Sequence, residues 1–141
     1  MHITLETDYA VRIVDCIARN ERRIGAGAIA QQNEVTLHFA LKILGKLAAG
    51  GIVTSFKGGR GGYEIARPLD EITLNEILET IEGPYMFSRC LDIDHVCSKN
   101  GLERCQYYHA YKDISDVVVE KLKGITVADA LHMGMPEFEV V

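Results

Sequence analysis

Residues 36–66 read TLHFALKILGKLAAGGIVTSFKGGRGGYEIA, and the order of residue types in this stretch decides the fold. Thr36 stands ahead of a helical run, where a side-chain oxygen accepts from an otherwise unpaired backbone N–H of the first turn. Leu37, Ala40, Leu41, Leu44, Leu47 and Ala48 recur at helical spacing and are expected to form the buried stripe, with Lys42 and Lys46 off it. Gly50 and Gly51 end the helix, because glycine enters the left-handed region without a Cβ clash. Two short β-prone runs, 52–56 and 63–66, flank Lys57-Gly58-Gly59-Arg60-Gly61-Gly62, which predicts a hairpin with a basic, glycine-rich tip.

Upstream, Tyr9, Ala10, Ile13, Val14 and Ile17 share one helical face, with Arg12, Asp15 and Arg19 between them. A polar stretch over 20–27 leads into a brief second helix at 28–32, and Asn33-Glu34-Val35 turns the chain toward the helix that Thr36 caps. Helix, short helix, tight turn, helix and then hairpin is the order of a winged helix-turn-helix.

Downstream, Thr73 caps an amphipathic helix with Leu74, Ile77, Leu78 and Ile81 inward and Glu76, Glu79 and Glu82 outward, and Gly83-Pro84 stops it. A long segment without periodicity follows and holds three cysteines, and a connection of that length is unusual unless it is functional or disordered. Over 107–122, Tyr108, Tyr111, Ile114, Val117, Val118 and Leu122 alternate with charges on a helix with more apolar surface than a small domain can cover, so it is expected to dimerise. Residues 126–131 add a last helical turn, and 135–141 read as a tail. The expected fold is mainly α with a small β-hairpin wing. It comprises a winged helix-turn-helix over 1–68, then over 69–141 a helix, a cysteine segment (84–106), a long C-terminal dimerisation helix (107–123) and the tail.

The 141 residues carry 15 Lys and Arg against 20 Asp and Glu, a formal net charge of −5. The distribution is uneven: nine basic and six acidic residues lie in 1–68, six and fourteen beyond. A polyanion responds to the field within about 10 Å, so the acidic second half does not veto a basic face on the first. Thr36, His38 and Lys42, on the first turns of the third helix, are placed to meet bases and phosphates of double-stranded DNA in the major groove. Lys57, Gly59, Arg60 and Gly61 at the hairpin tip are placed to approach the sugar-phosphate backbone or minor groove. The chain contains no nucleophile elbow, P-loop or dinucleotide fingerprint, so an enzyme is not expected. No apolar run approaches the ~20 residues that span a bilayer, and the N-terminus lacks the pattern of a signal peptide, so no membrane partner and a cytoplasmic location are expected.

Cys16 falls within the first helix and reads as a small core hydrophobe. Cys90, Cys97 and Cys105 share one segment, with six and then seven residues between them. Clustered thiolates on irregular backbone suit iron, although no CxxC pair is present; free thiols are the alternative.

Thr7-Asp8-Tyr9-Ala10, the helix over 36–49, Gly51-Ile52-Val53 and above all the run from Lys57 to Tyr63 resemble the Rrf2 family of bacterial regulators, from Met1 to about Leu131. The resemblance implies a winged-helix homodimer on a DNA operator and, as in many members, an iron-sulfur cluster, 4Fe-4S or 2Fe-2S, that controls DNA affinity. The family's cluster cysteines occupy the segment that here holds Cys90, Cys97 and Cys105. Asp8 matches a position from which some members supply an aspartate ligand to the partner's cluster. His109, four residues after Cys105, is the rival fourth ligand, resembling members with a histidine at a shorter interval, and His95 comes third. The family's wing usually begins with Arg where this chain has Lys57. The implied function is a transcription regulator, a repressor, that senses redox state, nitric oxide or iron supply. The alternative is a cluster-free regulator responding through thiols, a small ligand or a protein partner.

Overall fold

Four helices begin on a threonine whose hydroxyl accepts from the backbone N–H three residues on: α1 (Leu5–Arg19) on Thr4, α3 (Leu37–Ala49) on Thr36, α4 (Leu74–Glu82) on Thr73 and α6 (Val127–His132) on Thr126. Each such cap stabilises its helix by about 1 kcal/mol. The computed structural model describes residues 2–99 and 101–133, so the expected tail at 135–141 lies outside the described residues. The remaining elements are α2 (Ala26–Gln32), the antiparallel hairpin β1 (Val53–Phe56) and β2 (Gly62–Ile65), and α5 (Gln106–Lys123), with single 3-10 turns at Leu69–Glu71, Arg89–Leu91 and Leu102–Arg104. The architecture is the mainly helical winged helix-turn-helix with a hairpin that the sequence predicts. None of the described helices is long and apolar enough to cross a membrane.

Helix α1 starts before the periodic residues because Thr4 supplies the cap, and α2 starts at Ala26 rather than at 28. The stripe of α3 differs from the sequence expectation. Its buried residues are Ala40, Ile43, Leu44 and Leu47, whereas Leu37 is 50% and Leu41 44% exposed. At about 100° per residue Ala40 and Leu47 centre the stripe, with Ile43 about 60° to one side of Ala40 and Leu44 about 40° to the other, while Leu41 lies about 100° from Ala40, beyond Leu44. The core that α3 meets is only one stripe wide, and Ile43 outcompetes Leu41 for it. Ala10, Ile13, Val14 and Ile17 of α1, Ile29 of α2, and Ile52 and Val53 complete that core with Ile72, Ile77 and Val127 from the second half.

The hairpin pairs Val53 with Ile65 and Phe56 with Gly62. Ile24 adds a third short edge: its N–H donates to the Tyr63 carbonyl at 3.1 Å, and the Tyr63 N–H donates back at 2.9 Å. Helix α4 ties the halves together through its acids, which the sequence places simply outward. Glu76 pairs with Arg67, which also donates to the Gly51 carbonyl. The Glu82 carboxylate accepts from the Thr4 N–H at 2.8 Å and from the buried Thr7 hydroxyl. These donors, Thr7 first, hold the Glu82 carboxyl below its ordinary pKa. A depressed folded pKa contributes stability above the unfolded value and loses it as pH falls through the folded one. Thermal melts across an acid series are therefore expected to show wild type and Glu82→Gln converging below about pH 5.

Candidate nucleic-acid interface and cysteine segment

Helices α2 and α3 are joined through Asn33 and Glu34, the latter at φ 55°. The Thr36 hydroxyl accepts from the Phe39 N–H at 3.2 Å, so it is the helix cap, while His38 next to it is exposed. Lys42 is exposed too, but its ammonium is not free: it lies 3.1 Å from the Glu6 carboxylate of α1, and Lys46 lies 2.6 Å from the other oxygen. The hydrogen bond from Lys46 is the largest influence holding the Glu6 carboxyl below its ordinary pKa, and burial opposes it. Any phosphate approaching α3 would therefore have to compete with Glu6 for these two cations. Glu6→Gln is expected to steepen the dependence of log affinity on log salt by about one to two, read from binding isotherms at several salt concentrations.

Lys57 and Arg60 are both exposed at the wing tip. The glycines around Arg60 differ in kind. The Gly61 N–H closes the turn on the Gly58 carbonyl at 2.9 Å, and a Cβ at Gly61 would sit 2.5 Å from the Phe56 carbonyl oxygen. A Cβ at Gly59 would meet nothing within 4 Å, so its missing side chain matters only to what approaches from outside. Sequence reasoning missed Arg23, whose guanidinium lies over the Phe56 ring at 3.3 Å from the centroid and 3.3 Å from Glu64. It braces the wing against the stretch before α2. The only available signal was a cation in an irregular segment, too common to single out.

The cysteine segment leaves α4 at Gly83, the residue after the Glu82 clasp, and ends where Cys105 begins α5. All three of its cysteines are free and half-buried. The Cys90 thiol donates to the Ser88 hydroxyl at 3.2 Å. Cys97 lines a surface recess with His95, Leu102 and Tyr108. Among the described residues, no three His, Cys, Asp or Glu side chains form a group that could hold a metal ion. The donor chemistry fits iron, while one chain by itself does not gather the thiols.

Asp8 sits a turn beyond the Thr4 cap and pairs with Arg12 at 3.0 Å on the surface. The His109 Nε2 lies 2.8 Å from the Glu103 carbonyl oxygen, tying the first turn of α5 to the preceding 3-10 turn. Cys16 stays apart: its thiol donates to the Gln32 side chain at 3.2 Å, and burial pushes its pKa up.

Residues 3–133 match the model of the Rrf2 family, described as iron-dependent transcriptional regulators. The chain belongs to the Rrf2 family. Protein aau3 of Rhizobium meliloti is 30% identical over 131 residues, which cover 92% of this chain and 84% of that protein. The solved structure of CymR, the global cysteine regulator of B. subtilis, matches with a TM-score of 0.70 at 26% identity, covering 92% of this chain and 95% of CymR. T. potens IscR shares the fold at the same TM-score of 0.70 and 22% identity, over 93% of this chain and 86% of IscR. This Rrf2 protein is a transcription regulator, not an enzyme.

Two further apolar surfaces are exposed among the described residues. Tyr107, Ile114 and Val117 are exposed along α5, as are Ile93 and Val96 on the cysteine segment. The first set lies on α5, the helix expected from the sequence to dimerise.

Proposed function

We propose that this Rrf2 protein is a homodimeric repressor whose grip on a DNA operator is set by an iron-sulfur cluster, with residues 1–68 binding DNA and 69–141 sensing and dimerising. The observation that carries this reading is the placement of three half-buried free thiols in a segment clasped at one end to α1 through Glu82 and opening at the other into α5.

In the DNA-bound state α3 enters the major groove, with Thr36, His38 and Lys42 toward base edges and phosphates. Lys57 and Arg60 reach the backbone or minor groove, Gly59 leaves the tip free to approach, and Gly61 shapes the turn. Two copies joined along α5 must hold their α3 helices about 34 Å apart, so a small change at the joint is read as a change of affinity.

Cys90, Cys97 and Cys105 would hold the cluster, which when bound supplies iron sensitive to oxidants, nitric oxide and iron supply. Asp8 of the other copy is favoured as fourth ligand over His109. Asp8 gives up only an exposed pair with Arg12, worth about 0.3–0.5 kcal/mol, whereas the His109 Nε2 is already engaged by the Glu103 carbonyl. The contacts Glu82 with Thr4 and Thr7, then Glu6 with Lys42 and Lys46, run from the cysteine segment to the recognition helix.

Anaerobically purified wild type is expected to absorb in the visible and release acid-labile sulfide, and Cys97→Ala to lose both while remaining a dimer by sedimentation. A second reading has its own observation, the absence of a gathered metal site among the described residues. It is a cluster-free regulator acting through its thiols, a small ligand or a protein partner. Colourless anaerobic protein with tight operator binding would favour it.

A further inference from the structure

The recognition helix presents two leucines to the outside. Leu37 and Leu41 are 50% and 44% exposed, while the stripe beneath them is filled by Ala40, Ile43, Leu44 and Leu47, so the core has no place for either. They stand one turn apart on the first two turns of α3, the turns whose side chains reach base edges. Gly45 continues the same row one turn further, and a Cβ there would meet no atom within 4 Å, so the helix can come close to a groove wall. His38 and Lys42 follow each leucine by one residue and are exposed, which gives the row a cationic margin suited to phosphate.

An apolar row inside the major groove has one apolar feature to meet there, the C5-methyl group of thymine. Against the amino group of cytosine or the acceptors of guanine it would strand polar atoms without partners. We propose that Leu37 and Leu41 are specificity-determining residues that read thymine methyl groups in the operator. This rests on the DNA-binding reading above.

The experiment starts with selection of duplexes from a random pool by the full-length protein, prepared with and without anaerobic iron and sulfide. Each thymine of the selected site is then replaced in turn by uracil, which removes the methyl group and leaves the Watson–Crick edge unchanged. Wild type is expected to lose about threefold to tenfold in affinity at one or two thymines of each half-site. Leu41→Ala or Leu37→Ala is expected to bind the thymine and uracil duplexes equally at the corresponding position. Uracil-insensitive wild type overturns the proposal, as does a sensitive thymine whose effect survives both substitutions. A change of oligomeric state in the leucine variants with uracil sensitivity intact overturns it too, because the row is then a protein contact. A pool that yields no enriched duplex overturns the DNA-binding reading itself.

Discussion

Ile43→Ala is expected to destabilise the protein by about 3 kcal/mol, within the range of about 2–5 kcal/mol for truncating a fully buried aliphatic side chain. Ile43 has no exposed surface and packs in the cluster with Ile13, Ile29, Leu44, Leu47 and Ile77. Its truncation leaves a cavity within a buried cluster drawn from α1, α2, α3 and α4. Leu41→Ala, on the exposed edge of the same helix, is expected to change stability by less than about 0.5 kcal/mol. Urea unfolding at fixed protein concentration separates the two, with the midpoint moving for Ile43→Ala and the slope unchanged. The reverse order is what the apolar pattern of residues 36–49 would suggest, so this pair tests the rotation of α3 about its axis.

The second large effect belongs to Gly62→Ala. Gly62 holds φ +133°, and a Cβ there would lie 2.8 Å from the Ile24 carbonyl oxygen and 3.0 Å from its carbon. Both obstacles are backbone, so no rotamer change relieves them, and the conformation itself is strained for an L side chain. The substitution is expected to cost about 2–3 kcal/mol of stability and to release the wing from its bridge to Ile24, weakening DNA binding further. Gly59→Ala, at the open tip, is expected to leave stability within about 0.5 kcal/mol of wild type. Denaturation curves and operator titrations of both variants check this.

Much of the fold is written locally. Thr36 and Thr73 announce their helices because a cap is a contact over three residues, and Gly51 and Gly83 end helices at φ 72° and 82° because only glycine takes those angles cheaply. The hairpin is equally plain, its turn being encoded in six consecutive residues. What escapes a local reading is set by partners far away in sequence. The choice of Ile43 over Leu41 depends on the width of the core that α3 meets, which hydrophobic spacing along α3 alone does not contain. Glu82 looks like a solvated acid on α4 until α1 brings Thr4 and Thr7 to it, and Lys42 looks like a free cation until Glu6 arrives from the same helix. Arg23 on Phe56 is a third case. For the cysteine segment the sequence shows which residues share it, through its lack of periodicity and its three thiols. No local rule fixes where those thiols point: all three are half-buried, Cys90 within a 3-10 turn, Cys105 between another and α5, and Cys97 on irregular backbone.

The most direct test of cluster-controlled DNA binding uses one sample twice. Anaerobically prepared protein is reconstituted with iron and sulfide, its affinity for a selected duplex is measured, and the measurement is repeated after the iron is stripped. A visible absorption band, acid-labile sulfide and an affinity change of about tenfold or more between the two forms are expected, with Cys97→Ala fixed in the stripped behaviour. A protein that stays colourless after reconstitution and binds the duplex equally tightly with and without iron and sulfide would contradict it.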